Sequence, residues 1–266
     1  MEYREFLERV LKEVSGIANE KFGKVSGTTK AGDNNQVLTE ADLEIGKYII
    51  SEIEKEFPTH NIIDEEAGVI DKKSDFTWVV DPIDGTSNFA NGVPLYGIYL
   101  GLLKEDKPIA GGIALPYFNE IYSAEKGSGA MRNGNQVHTT KEEDLKNVLV
   151  AYGIDGHPEE SDFVEKEGRL MMNIVLGIRN LRTSNSPFDG AMVARGDYGA
   201  WLCRSSKIWD NVALQVVLEE AGATYTDFYG KEIDYSNPLG KTKENFTYCA
   251  ASPKIHKQLQ EIIHSA

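Results

Sequence analysis

The run Asp81-Pro82-Ile83-Asp84-Gly85-Thr86 places two carboxylates, a glycine and a hydroxyl directly behind the apolar residues Trp78-Val79-Val80. Such an apolar run predicts a buried strand. Acid groups at the end of a buried strand are costly unless a cation meets them there. On a continuing strand Asp81 and Asp84 point to opposite faces, because side chains alternate. Pro82 lacks an N–H and is expected to close the strand, so that the chain curls and brings both acids to one side. Two carboxylates on one side outline a divalent-cation site, and Gly85-Thr86 would offer backbone N–H groups to an anion where a helix begins. Asp-Pro and Asp-Gly pairs are also common turn formers, so the hexapeptide by itself reads equally as a solvated turn.

Other acids share its context. Glu65-Glu66 follow the strand-like Asn61-Ile62-Ile63, Asp210 follows Ile208-Trp209 at the front of an apolar helix, and Asp42 lies three residues after the helix-capping Thr39. Each sits at a strand end or helix start, where sheet-based folds gather their sites. Each also has a plainer role: a cap for Asp42, surface charge for Glu65-Glu66, a helix-dipole partner for Asp210. If they converge, two carboxylates 4 Å apart repel by about 4 kcal/mol at an effective dielectric near 20, and protons or cations must enter. Carboxylate oxygens suit Mg²⁺.

The elements that would position these groups follow from periodicity. Apolar Phe6, Leu7, Val10, Leu11, Val14 and Ile17 predict a helix over residues 2–22. The Gly/Thr/Asn/Lys-rich stretch 25–36 reads as a mobile loop. A second helix runs from Thr39 to Phe57, where Pro58 stops it. Short runs at 96–103, 108–115 and 120–124 with glycine turns suggest an antiparallel sheet. Beyond Leu145, strands near 148–152, 178–182, 198–202 and 246–250 alternate with helices near 160–176, 188–195, 208–221 and 253–263. That rhythm argues for a mixed or parallel sheet between helices. Two tightly packed halves are expected: residues 1–145 with most of the acids, and 146–266 supplying Asp210, with the site between them.

The 266 residues are 41% hydrophobic, enough for a sizeable core, and no run approaches the about 18 apolar residues of a membrane span. The net charge of −14 disfavours nucleic acid and anionic membrane as partners. The opening Met1-Glu2-Tyr3-Arg4-Glu5 lacks the layout of a signal peptide, and Cys203 and Cys249 fit a reduced, cytoplasmic protein as core fillers.

Residues 78–89, WVVDPIDGTSNF, resemble the first signature of the inositol monophosphatase superfamily of metal-dependent, lithium-sensitive phosphatases. Residues 208–213 (IWDNVA) resemble its second signature, residues 64–66 (DEE) its GEE motif with Asp64 in place of glycine, and residues 37–42 (VLTEAD) its VTxxD segment. The resemblance covers nearly the whole chain. It implies an α/β layered αβαβα sandwich, a homodimer, and two or three Mg²⁺ ions per site. Glu65, Asp81 and the Ile83 carbonyl would hold the first ion, Asp81, Asp84 and Asp210 the second, with a weaker third near Glu65. Thr86, paired with Asp42, would orient and deprotonate the attacking water. The Gly85 and Thr86 amides would grip the phosphate, with Asp84 and Asp210 alongside. Lys30 would lie in the loop near the site, and Glu66 would support the ligands. No covalent phosphoenzyme is implied.

Two departures concern the substrate. Thr183-Ser184-Asn185-Ser186-Pro187-Phe188-Asp189 replaces the family's G-S/T-A-A run, which makes Asn185 and Ser186 candidates for specificity. Cys203 stands where inositol monophosphatases carry an acid that binds substrate hydroxyls. Arg204 and Lys207 nearby either face a second phosphate or are merely solvated. The activity implied is Mg²⁺-dependent hydrolysis of a small sugar or inositol monophosphate. Alternatives are fructose-1,6-bisphosphate or 3′-phosphoadenosine-5′-phosphate as substrate, or a catalytically silent metal- and phosphate-dependent regulatory binder. A phosphatase with an aspartate nucleophile fits less well, since its DxDxT spacing is absent, and an EF-hand loop fits poorly.

Overall fold

The computed structural model describes residues 2–25, 27–29, 37–156 and 160–265. Lys30 and most of the loop expected over 25–36 lie outside them. Five layers stack as α/β/α/β/α. The chain opens with α1 (Glu2–Lys21), the two-residue strands β1 (Thr28–Thr29) and β2 (Val37–Leu38), and α2 (Glu40–Glu56). The first large sheet takes β3 (Asn61–Asp64), β4 (Gly68–Ile70), β5 (Phe76–Asp84), β6 (Gly97–Lys104), β7 (Lys107–Leu115), β8 (Glu120–Glu125), β9 (Ala130–Arg132) and β10 (Asn135–Gln136), with α3 (Thr86–Ala90) between β5 and β6. Its order is β10-β9-β8-β7-β6-β5-β3-β4. Only β3 and β5 run parallel among its neighbouring strands.

The second half adds β11 (Leu149–Gly153), α4 (Ser161–Val175), β12 (Asn180–Arg182), α5 (Pro187–Ala194), β13 (Ala200–Ser206), α6 (Ile208–Glu220), β14 (Thr224–Thr226), β15 (Phe246–Ala251) and α7 (Pro253–Ser265). Its five-stranded sheet has the order β12-β11-β13-β15-β14. The β12-β11-β13 run is parallel and the β15 pairings are antiparallel.

The apolar stripe expected on α1 is buried together with Ile45, Ile49 and Ile53 of α2 against Ile62, Trp78, Val80, Ile98, Leu100 and Leu102 on one face of the large sheet. The opposite face packs through Tyr99 and Ile113 on α5 and α6, which also meet Trp201 and Tyr248 of the smaller sheet. Helices α4 and α7 close the far side through Leu170, Ile174, Ile255 and Leu259. No helix among the described residues is long and apolar enough to cross a membrane.

Pro82 does not close its strand. β5 continues through Asp84, and the register moves from Asp81↔Tyr99 to Asp84↔Gly97. Three steps on β5 therefore oppose two on β6, a β-bulge. The extra residue cancels the alternation, so Asp81 and Asp84 reach the same side through a bulge rather than a turn. β4 and β14, unforeseen in the periodicity, are three-residue strands that complete the sheet edges.

Candidate active site

The first metal-type groups come from the large sheet. Asp81 is 2% exposed, and its Oδ1 has no hydrogen-bond partner among the described residues. β3 pairs in parallel with β5 so that Asp64 lies opposite Val80, and the Glu65 amide donates to the Val80 carbonyl at 3.2 Å. That brings Glu65 beside Asp81. Asp64, the departure from GEE, shapes the turn: its Oδ1 accepts the Glu66 and Ala67 amides at 2.9 and 2.7 Å.

Asp210 arrives from the second half on α6, where its Oδ2 accepts the Lys207 amide at 2.6 Å. The helix comes this close because two glycines of the sheet lack side chains. A Cβ on Gly101 would stand 2.7 Å from the Ala213 nitrogen, and one on Gly111 would stand 2.5 Å from the Ala213 carbonyl oxygen. The helix backbone thus rests directly on the sheet, and the acid in its first turn reaches the end of β5.

These carboxylates act on one another. Burial pushes Asp81 well above the usual range, and the charges of Glu65, Asp84 and Asp210 push further. The Asp81 and Asp210 carboxyls are within hydrogen-bonding reach of each other, which lets one proton serve both. Asp84 is raised by burial and then by Asp210, Glu65 and Asp155, while the Gly85 amide holds it down. Burial likewise raises Asp210 to about 7 against the pull of the Lys207 amide. Four acids from three elements thus share one electrostatic environment.

The donor set suits a hard cation: carboxylate oxygens, the Ile83 carbonyl, and one buried, unpartnered oxygen on Asp81. Among the described residues no three Asp, Glu, His or Cys side chains stand at the mutual spacing of a ready-made ligand set. The acids are coupled through charge and through the Asp81–Asp210 contact, and holding an ion among them would require the side chains to adjust.

Asp42 and Thr86 meet as the resemblance implied, with Thr86 Oγ1 3.2 Å from Asp42 Oδ1. The same hydroxyl lies 2.7 Å from the Ile83 carbonyl, so its proton serves one acceptor at a time. Asp42 is raised to about 6 by burial, opposed by the Thr39 hydroxyl and amide, and raised further by Glu66. Thr39 closes the expected capping box on its Oδ2 at 2.5 and 2.8 Å. The Gly85 amide, expected to face phosphate, interacts with the Asp84 carboxylate. Of the backbone pair assigned to phosphate, this one is already engaged.

The specificity candidates divide. Ser186 is fully buried ahead of α5, with its amide donating to Asp189 at 3.4 Å, so it faces the core rather than a substrate. Arg204 does not stand as a free basic wall. Its guanidinium pairs with the buried Glu167, which also accepts the Tyr152 hydroxyl at 2.7 Å. It also lies over the rings of Phe163, Phe228 and Tyr229. Lys207 Nζ lies 3.4 Å from the carbonyls of Lys243 and Glu244. Cys203 is buried and donates to the Ser205 carbonyl at 3.1 Å, and burial pushes its thiol up to about 12. Asn185 lies beside it in the left-handed region, at φ 46°.

Asp155 was missed. It follows Tyr152-Gly153-Ile154 at the end of β11, and its charge reaches both Asp84 and Cys203. The available signal was the one shared by the other acids: a carboxylate directly after an apolar strand.

This fold and this gathering of acids define a phosphatase of the inositol monophosphatase type. A model of the inositol monophosphatase family matches residues 2–266, and the chain belongs to that family of generally metal-dependent phosphoric monoester hydrolases. It is 32% identical over 213 residues to a protein of Aquifex aeolicus named fructose-1,6-bisphosphatase/inositol-1-monophosphatase, covering 79% of this chain and 80% of that one. It is 28% identical to Nus factor SuhB of Xylella fastidiosa, over 83% of this chain and 78% of the other. Its fold superposes on an IMPase of Thermotoga maritima with a TM-score of 0.86 at 27% identity, covering 100% of this chain and 98% of that one.

Proposed function

We propose that the chain hydrolyses the monophosphate ester of a small polyol, sugar or inositol by attack of water, with Mg²⁺. The observation that carries this reading is the mutual coupling of Asp81 with Glu65, Asp84 and Asp210 beside the Thr86–Asp42 pair. Glu65, Asp81, the Ile83 carbonyl, Asp84 and Asp210 would hold two or three ions. When bound, Mg²⁺ lowers the pKa of water and neutralises charge on the phosphoryl group.

The chain's own groups do the rest. Thr86 Oγ1 accepts a proton from the attacking water as its own proton passes to Asp42 Oδ1. Burial that lifts Asp42 toward neutrality makes it a better acceptor than an exposed aspartate. The new P–O bond to water forms as the ester P–O bond breaks, and the alkoxide takes a proton from solvent. The Thr86 amide would orient the phosphate. Glu66 and Lys30 would support the site.

The same reading extends to a lithium-sensitive, cytoplasmic homodimer of two-halved subunits, residues 1–145 and 146–266. A metal- and phosphate-dependent regulatory binder without turnover is the alternative for which Cys203 and the altered segment 183–189 leave room. The complete water-positioning pair favours turnover. A screen of phosphate release from inositol-1-phosphate, fructose-1,6-bisphosphate, 3′-phosphoadenosine-5′-phosphate and histidinol phosphate, with and without Mg²⁺, tests it. Release from at least one ester that depends on Mg²⁺ is expected, and none from any ester overturns the proposal.

A further inference from the structure

We infer that Asp155, held in place by Asn185, selects the alcohol part of the substrate, accepting a neutral hydroxyl and disfavouring a second phosphate. This rests on the phosphomonoesterase reading above. β11 and β13 run parallel with Gly153 opposite Cys203, so both strands end on the side where the acids gather. Asn185 sits directly on those strand ends. A Cβ on Gly153 would stand 2.2 Å from Asn185 Oδ1 and 2.9 Å from Cys203 Sγ, so a larger residue there would displace the Asn185 side chain. Asn185 itself sits in the left-handed region at φ 46°, which Asn tolerates. Its two ends meet partners of opposite polarity: Oδ1 lies 3.9 Å from the Cys203 thiol, and Nδ2 donates to Asp155 Oδ1 at 3.0 Å.

Asp155 is exposed, two residues past Gly153, and its field reaches Asp84. It is a hydrogen-bond acceptor on the rim of the acid cluster, oriented by an amide. Of the two basic candidates on this side, Arg204 is committed to Glu167 and three aromatic rings, and Lys207, whose Nζ lies 3.4 Å from the Lys243 and Glu244 carbonyls, directs its charge at Asp210. At Asp155 the rim therefore carries negative charge. A hydroxyl can donate to Asp155, whereas a second phosphate meets a like charge, the repulsive element on which selectivity depends.

The test uses the full chain with Mg²⁺ and three esters: inositol-1-phosphate, p-nitrophenyl phosphate, which has no hydroxyl, and fructose-1,6-bisphosphate. Asp155→Ala is expected to lower the inositol-1-phosphate to p-nitrophenyl phosphate ratio of kcat/KM about tenfold, mostly through KM. Asp155→Lys is expected to raise the fructose-1,6-bisphosphate to inositol-1-phosphate ratio about tenfold or more. Asn185→Ala, which releases Asp155, is expected to move the first ratio in the same direction as Asp155→Ala. Ratios that stay within about twofold of wild type in both Asp155 variants overturn the inference while leaving the phosphatase reading intact. Absence of Mg²⁺-dependent release from all three esters by the wild type overturns that reading and this one with it.

Discussion

Thr86 Oγ1 lies 3.2 Å from Asp42 Oδ1 across 44 positions of sequence. The contact joins the helix that begins at Glu40 to the turn that ends β5, and it hands a hydroxyl to a carboxylate raised to about 6 by burial. Removing the hydroxyl with Thr86→Ala should lower kcat by about 10²–10⁴-fold, the usual size of a general-base contribution. Thr86→Ser, which keeps the hydroxyl, should restore most of it. A Thr86→Ala enzyme with wild-type kcat in a phosphate-release assay would remove this residue from the mechanism.

Coupled acids make metal loading a stability event. Mg²⁺ should raise the melting temperature and EDTA should lower it, because a cation relieves repulsion among Glu65, Asp81, Asp84 and Asp210. Asp210→Asn should abolish the Mg²⁺-dependent rise as well as turnover. Thermal melts with and without metal, on wild type and variant, decide the matter. An equal rise in both proteins places the ion elsewhere.

Helix α6 must stay pressed on the sheet for Asp210 to reach Asp81. Gly111→Ala puts a methyl group 2.5 Å from the Ala213 carbonyl oxygen, closer than any carbon can remain. Overpacking of this kind costs about 1–3 kcal/mol. The variant should unfold at lower denaturant and lose activity out of proportion to its unfolded fraction. Normal turnover in the folded fraction would show that the helix position is not limiting.

The pair of Arg204 with Glu167 is structural. Their side chains are 17% and 3% exposed, and stripping one partner from a buried pair costs about 3–5 kcal/mol. Arg204→Ala should therefore show a large loss in chemical denaturation. A variant of unchanged stability but raised KM for a bisphosphate would instead return Arg204 to the substrate.

Asp189 offers a pH signature away from the metal ligands. Burial raises it from 3.8 to about 6, despite hydrogen bonds from the Ser184 hydroxyl and the Ser186 amide. The folded state therefore holds a proton that the unfolded state releases. The stabilisation is full below about pH 4 and is lost as the pH rises through about 6. Asn has no such titration, so stability of wild type relative to Asp189→Asn should fall by about 2 kcal/mol between pH 4 and pH 7. Denaturant melts of both proteins at the two pH values check this, and a pH-independent difference would contradict it.

Local signals in the chain determined a good deal. The spacing of Phe6, Leu7, Val10, Leu11 and Val14 marked a helix, Thr39 with Asp42 marked its neighbour's cap, and the apolar runs ending in acids marked strand ends. Hydrophobic periodicity and capping act over a few residues, so they are written in adjacent letters. Tertiary structure alone decided the rest. It made a bulge of Asp81–Asp84, because only pairing with β6 reveals that three residues oppose two. It spent the charge of Arg204 on Glu167, 37 positions away, and buried Ser186. It carried Asp155 to the neighbourhood of Asp84 on a different sheet. Whether a charged side chain is free or already partnered depends on what the fold packs against it, and that partner is set by long-range packing rather than by neighbours in sequence.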